Sequence, residues 1–349
     1  MRIVLIPIKD IFMKQLILII LATSGIVGCS YASEEVNLYS ARQESLIKPL
    51  LDAFTTESGI KVNIISSKAD ALLKRIQTEG INSPADVLLT TDAGRLYRAK
   101  QGKVFAAIDS EILNDNIPAR YRDVDNKWFG LSLRARLILR TDAVGGNKIE
   151  SYEDLIKPEL NKSICIRSSD NIYNQSLLAS MIENQGEEAA LAWAKGLVAN
   201  MARRPQGGDR DQIRAAAAGQ CSIAIANSYY LAQMLADPSN KVDYQAAKAM
   251  TVIWPNQAGR GSHLNISGAG VLINAPNKAN GIRFIEFLVS DTAQKIYADV
   301  NLEYPVKPEV AVNPILASWG EFKADSIALG MLGEHNAKAI RIMDRAGWK

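Results

Sequence analysis

Residues 222–234 read SIAIANSYYLAQM: a short β-type run, then Asn227, then two adjacent tyrosines opening a helical segment. On a regular helix, neighbouring side chains project about 100° apart and cannot share a target, so two phenols aimed at one point must sit where a helix begins. The plain alternative is one core and one surface aromatic. A third phenol, Tyr173, follows the strand-like SICIRSSDN. In open α/β sheets, ligands bind beyond the carboxyl ends of strands, where helices start. Tyr39, Asp92, Tyr173, Tyr229 and Tyr230 all stand at such ends, and a helix N-terminus also lessens the cost of a phenolate. Other reactive groups are sparse. There are two histidines, His263 and His335, and no CxxC, HExxH, Walker or GxSxG pattern, which argues against a His-rich zinc or copper site. No nucleophile–His–acid set is visible, so an enzyme is not expected. His263, in GRGSHLN, reads as a surface or hydrogen-bonding loop residue.

The elements that must position these groups alternate between short β runs and amphipathic helices, the pattern of an α/β sheet with crossover helices. VNLY, IKVNII and ADVLLT read as strands. The segments between them, SLIKPLLDAFTTESG and SKADALLKRIQTEG, read as helices, giving one βαβαβ lobe. Leu46, Leu50, Leu51 and Phe54 mark the apolar face of the first helix, and Gly59 marks its stop. KWFGLSLRARLILR is strand-like without turn residues and can carry the chain from one lobe to another. A second α/β series follows through SICIRS, NIYNQSLLASMIENQG, EEAALAWAKGLVANM, DQIRAAAAGQ and SIAIANSYY. NISGAGVLIN then reads as a strand and GIRFIEFLVSDTAQKIYADV as one long helix. No linker separates the lobes, so they are expected to be interwoven.

The first residues set the compartment. A basic start, the apolar stretch Leu16–Val27 and then small residues form an export signal over residues 1–32, too short for a membrane span. Ile26-Val27-Gly28-Cys29 resembles a lipobox with Cys29 as the lipidated residue, whereas Ser30-Tyr31-Ala32 offers ordinary cleavage; export to the periplasm follows from either. The formal net charge is +3. Loss of the signal removes Arg2, Lys9, Lys14 and Asp10 and leaves +1, which is no nucleic-acid footprint. Cys165 and Cys221 then remain as an even pair in an oxidising compartment, where a disulfide is expected.

Several stretches together are similar to the periplasmic ferric-iron-binding proteins of bacterial ABC importers: VNLYSARQESLIKPLLDAFTTESGIKV, SPADVLLTTDAGRL, WFGLSLRARLIL, NIYNQSLLAS, GQCSIAIANSYYLAQM and FIEFLVSDTAQKIYAD. They span nearly the whole exported chain. The resemblance implies a two-lobed type II periplasmic-binding-protein fold with a hinge. Its N-terminal lobe would take residues 33–134 plus 259–309, and its C-terminal lobe 135–258 plus 310–349. It implies Tyr229 and Tyr230 as adjacent ligands of ferric iron (Fe3+), and Tyr173 as the third. Positions that carry a histidine and a glutamate in another branch are Gln43 and Thr91 here, and a further tyrosine position is Glu44. This places the chain nearer the tyrosine-dominated type, in which carbonate or another small anion completes the shell. Arg42, Arg134 and Asn227 are the candidates for holding it, with Arg136 on the same strand face as Arg134. Hard trivalent cations favour anionic oxygen, and three phenolates would neutralise three positive charges. The expected partners are a membrane permease and its ATPase, with the protein a monomer that meets the membrane only through a Cys29 anchor. A binding protein of the same fold for a polyamine, thiamine or a phosphonate is the competing expectation.

Overall fold

The structure is a computed structural model that describes residues 34–145 and 148–349. The expected signal at residues 1–32, with Cys29, lies outside the described residues. The first lobe begins as its sequence pattern requires: β1 (Glu35–Ser40), α1 (Glu44–Ser58), β2 (Lys61–Ser66), α2 (Ala69–Glu79) and β3 (Val87–Thr91). β1 pairs in parallel with both β2 and β3. Gly59 ends α1 in the left-handed region, at φ 74°, where its N–H reaches the Thr55 carbonyl; a Cβ would be strained there. The buried face of α1 is Ile47, Leu50, Leu51 and Phe54. Leu46, expected on that face, instead lines a cleft.

Next come α3 (Ala93–Gln101), α4 (Glu111–Asn116) and the twelve-residue β4 (Phe129–Arg140). β4 is the crossing strand. Its first half, Phe129–Ala135, pairs antiparallel with β8 (Leu264–Val271), and its second half, Arg136–Arg140, pairs with β6 (Ile223–Asn227). Because strand side chains alternate between faces, Ala135, Leu137 and Leu139 enter a second, smaller core with Ile213, Leu231 and Met234. Arg134 and Arg136 face the other way. Two short strands also join β4: β7 (Thr251–Ile253) beyond Ile138, and β9 (Tyr304–Pro305) beside Ser132 and Leu133. The full order is β2-β1-β3-β8-β4-β6-β5, with β5 (Ile164–Cys165) at the far edge.

β5 is only two residues long, shorter than SICIRS suggests. α5 (Ile172–Ala199) is interrupted at Gly186, whose φ of 84° and ψ of 168° are not helical, so the two expected helices are real. α6 (Asp209–Ala217), α7 (Ser228–Ala236) and α8 (Lys241–Lys248) follow. The expected long helix near the end is two helices, α9 (Lys278–Leu288) and α10 (Asp291–Asp299). Ser290 divides them, because its Oγ accepts the Ala293 N–H and caps α10, a stronger local preference than continuing the first helix. Cys165 and Cys221 are joined, with Cα atoms 5.9 Å apart, so the disulfide fastens β5 to the entry of β6.

Candidate functional site

Three phenols meet at the carboxyl ends of β5 and β6. Tyr229 and Tyr230 are the second and third residues of α7, after Asn227 and Ser228, and their rings pack at a tilt of 33° with centroids 4.1 Å apart. Tyr173 is the second residue of α5, and its Oη lies 3.4 Å from that of Tyr229. All three line a cleft of about 500 Å³ whose opposite wall carries Arg42, Gln43 and Thr91. The two positions where the resemblance removes a histidine and a glutamate therefore do face the tyrosines. Glu44 does not; it is an exposed residue in the first turn of α1.

Burial pushes the Tyr229 phenol well above its ordinary range, with Tyr173 and Tyr230 adding to the rise and the Arg134 guanidinium opposing it. Tyr230 is raised as well, by burial first, then by Tyr173 and Asp209, against the pull of Arg167. Without a metal, both phenols are therefore protonated at neutral pH. A cation entering between them must displace those protons.

The arginines differ in how committed they are. Arg42 donates through both Nη atoms to Glu303, at 3.2 and 3.1 Å, and also to Ser267. Glu303 lines the cleft but also accepts from Ser132. Arg134 donates to Ser267 Oγ at 2.8 Å and to the Ile266 carbonyl, and its guanidinium lies 5.5 Å from the Tyr173 ring centre. Asn227 accepts from Arg136 at 3.1 Å, while its buried Nδ2 has no partner among the described residues. Arg136 is held by Asp209, Asn227 and Asn174.

Two strand-end expectations fall away. Tyr39 is buried and donates to Glu79 at 3.0 Å, so it braces β1 against α2 rather than facing the cleft. Asp92, at φ 85°, caps α3 and accepts from both Ser176 Oγ and Asn265 Nδ2 at 2.8 Å. Burial raises its carboxyl despite Arg134 and Ser176. His263 is buried rather than on the surface, and burial, helped by Arg136 and Arg260, lowers its imidazole to about 3. Residues not anticipated are Arg167, whose guanidinium lies 5.9 Å from the Tyr173 ring centre, and Lys68, Arg95 and Glu303 on the cleft wall. Arg167 follows a strand end, the same signal that marks Tyr173. No cluster of three His, Cys, Asp or Glu side chains suited to a metal occurs among the described residues.

An α/β sheet shared between two lobes by a crossing strand, with convergent polar side chains at helix starts around a cleft, defines the type II periplasmic-binding-protein fold. The chain belongs to the family of bacterial extracellular solute-binding proteins, whose sequence profile matches residues 82–324. It is 48% identical to Iron uptake protein A1 of Synechocystis over 319 residues, 90% of this chain and 88% of that protein. Among solved structures, a Trichodesmium protein (IdiA, FutA) in complex with iron and citrate ligands superposes with a TM-score of 0.85 at 48% identity, covering 90% of this chain and 100% of the other. Apo ferric ion-binding protein A of Pasteurella haemolytica does so with a TM-score of 0.85 at 43% identity, covering 90% and 98%.

Proposed function

We propose that this protein is the exported solute-binding component of an ABC iron importer and captures ferric iron through the phenolates of Tyr173, Tyr229 and Tyr230. The observation that carries this reading is the convergence of three phenols from two separate helix starts, with Tyr173 Oη and Tyr229 Oη 3.4 Å apart on one cleft. Packing alone gives no reason to gather hydroxyls there. A trivalent ion does, because it favours anionic oxygen and takes the phenolic protons. The names of the Synechocystis and Pasteurella relatives support iron as the solute.

Three phenolates balance Fe3+ but leave coordination positions open. Gln43 and Thr91 on the facing wall are poor ligands for a hard ion, and Glu303 is already paired with Arg42. A small anion such as carbonate fits this vacancy in donors. Asn227 Nδ2 and the Nε atoms of Arg42 and Arg134 are buried donors without protein partners among the described residues, and they are our candidates for holding it. Closure of the cleft about the crossing strand β4 would then bury the ion until a membrane permease, driven by its ATPase, receives it.

The cations Arg42, Lys68 and Arg95 on the cleft wall also suit an oxyanion or a phosphonate as the solute itself. Competition separates the two readings. Calorimetric titration with a ferric chelate, with thiamine, with spermidine and with 2-aminoethylphosphonate should show tight binding of iron alone. Tight binding of an organic solute, with iron inert, would refute the iron reading.

A further inference from the structure

Tyr173 and the Tyr229–Tyr230 pair stand on different helices, and one buried network spans the space between them. Its hub is Arg136 on β4. The Nη2 of Arg136 donates at 2.7 Å to Oδ1 of Asn174, the residue directly after Tyr173. The Nη1 donates at 3.1 Å to Oδ1 of Asn227, two residues before Tyr229, and also to Asp209. Asp209 in turn accepts the Asn227 backbone N–H at 3.0 Å and Arg167 Nη1 at 2.9 Å. Asn174 completes the circuit by donating to the Arg167 carbonyl at 2.8 Å. Arg136, Asp209 and Asn174 are each at most 1% exposed.

A buried ion pair is weak evidence for stability, since well-packed apolar side chains of the same volume often do as well or better. What an apolar replacement could not supply is geometry. The planar guanidinium fork reaches two amides and a carboxylate at once, which fixes the helix start of Tyr173 relative to that of Tyr229. A metal held by ligands on separate elements depends on such outer partners for its ligand spacing. We propose that Arg136 and Asp209 are positioning residues that set the distance between Tyr173 and the Tyr229–Tyr230 pair, and so determine ferric affinity without touching the ion. This rests on the iron reading above. It also assigns Arg136 a different role from the anion contact that its strand position suggests.

The test compares wild type with Arg136→Lys, which keeps the charge and loses the fork, and with Asn174→Ala, which cuts the arm to Tyr173 and leaves the Arg136–Asp209 pair in place. Arg260→Lys serves as the control, since Arg260 pairs with Glu153 and Asp325 and does not line the cleft. For each protein, apo Tm, ferric affinity by competition and the visible absorption band are measured, and the apo Asn174→Ala variant is crystallised. Both network variants should lose about 10–100-fold in ferric affinity and show a displaced or weakened band, although all three tyrosines remain. Arg260→Lys should lower Tm with the band unmoved. The apo crystal structure should show the Tyr173 hydroxyl moved away from that of Tyr229. If Arg136→Lys fails to fold, Asn174→Ala decides. A folded Asn174→Ala with wild-type affinity, band and Tyr173 position would overturn the inference and leave the iron reading standing. Wild-type protein that binds no ferric iron would overturn both.

Discussion

Replacing Tyr230 with phenylalanine removes one oxygen and keeps the ring that packs against Tyr229 with centroids 4.1 Å apart. Fold and apo Tm should therefore stay close to wild type. Burial, then Tyr173 and Asp209, hold the Tyr230 phenol above its ordinary range, and Tyr229 is raised for similar reasons. Below about pH 9 each is fully protonated in the empty cleft, so each must release a whole proton on binding as a phenolate. The sign follows: acidification weakens binding, and every released proton contributes about a factor of ten in affinity, about 1.4 kcal/mol, per pH unit. The variant should release one proton fewer than wild type, and its plot of log affinity against pH should be shallower by one. Removing a ligand should also weaken binding by at least the roughly 100-fold seen at the upper end for outer partners. Calorimetric titration with the same ferric chelate, in two buffers of different ionisation enthalpy, counts protons for both proteins. The chelator's own protons cancel in the difference. An equal proton count with equal affinity would show that Tyr230 is not a ligand.

Three other outcomes are expected. Intact-mass measurement after alkylation without reductant should find no free thiol at Cys165 or Cys221, and removing both cysteines should destabilise the fold by about 4 kcal/mol on the chain-entropy account for their separation of 56 residues; two alkylatable thiols would refute the first part. Arg134→Ala should weaken iron retention mainly when carbonate is present, by roughly the 1.5–3 kcal/mol of a lost charge-assisted hydrogen bond, whereas equal weakening without carbonate would make the arginine structural. His263 titrates at about 3 when folded and near 6.5 when unfolded, so the unfolded chain binds the extra proton between these values and apo stability should fall by up to about 1.4 kcal/mol per pH unit as pH drops through that window; in His263→Gln, urea unfolding from pH 4 to 6 should show a correspondingly flatter slope.

The sequence made the tyrosines legible because a strand end followed by a helix start is a local pattern, and local patterns survive in a chain read one segment at a time. Cys165 and Cys221 were legible because few cysteines leave few pairings. The same strand-end rule misplaced Tyr39, since it does not say which side of the sheet a side chain takes, and Glu79 on the neighbouring helix captures that hydroxyl. The break at Ser290 turns on one capping bond inside an otherwise helical run. Arg136, Asp209 and Arg167 could not be joined in advance. Their contacts cross 73 and 42 residues of chain, and buried charges pair by three-dimensional placement that no spacing in the sequence records.

The central claim is that phenolates hold ferric iron, and the visible absorption spectrum of the purified protein tests it most directly. Adding ferric salt at neutral pH should produce a phenolate-to-iron charge-transfer band that saturates at one ion per chain. The band should fade as pH falls, when the ligands regain their protons, and on reduction, which removes one unit of the charge they balance. Tight ferric binding without a visible band would place the ion on other ligands and contradict the account.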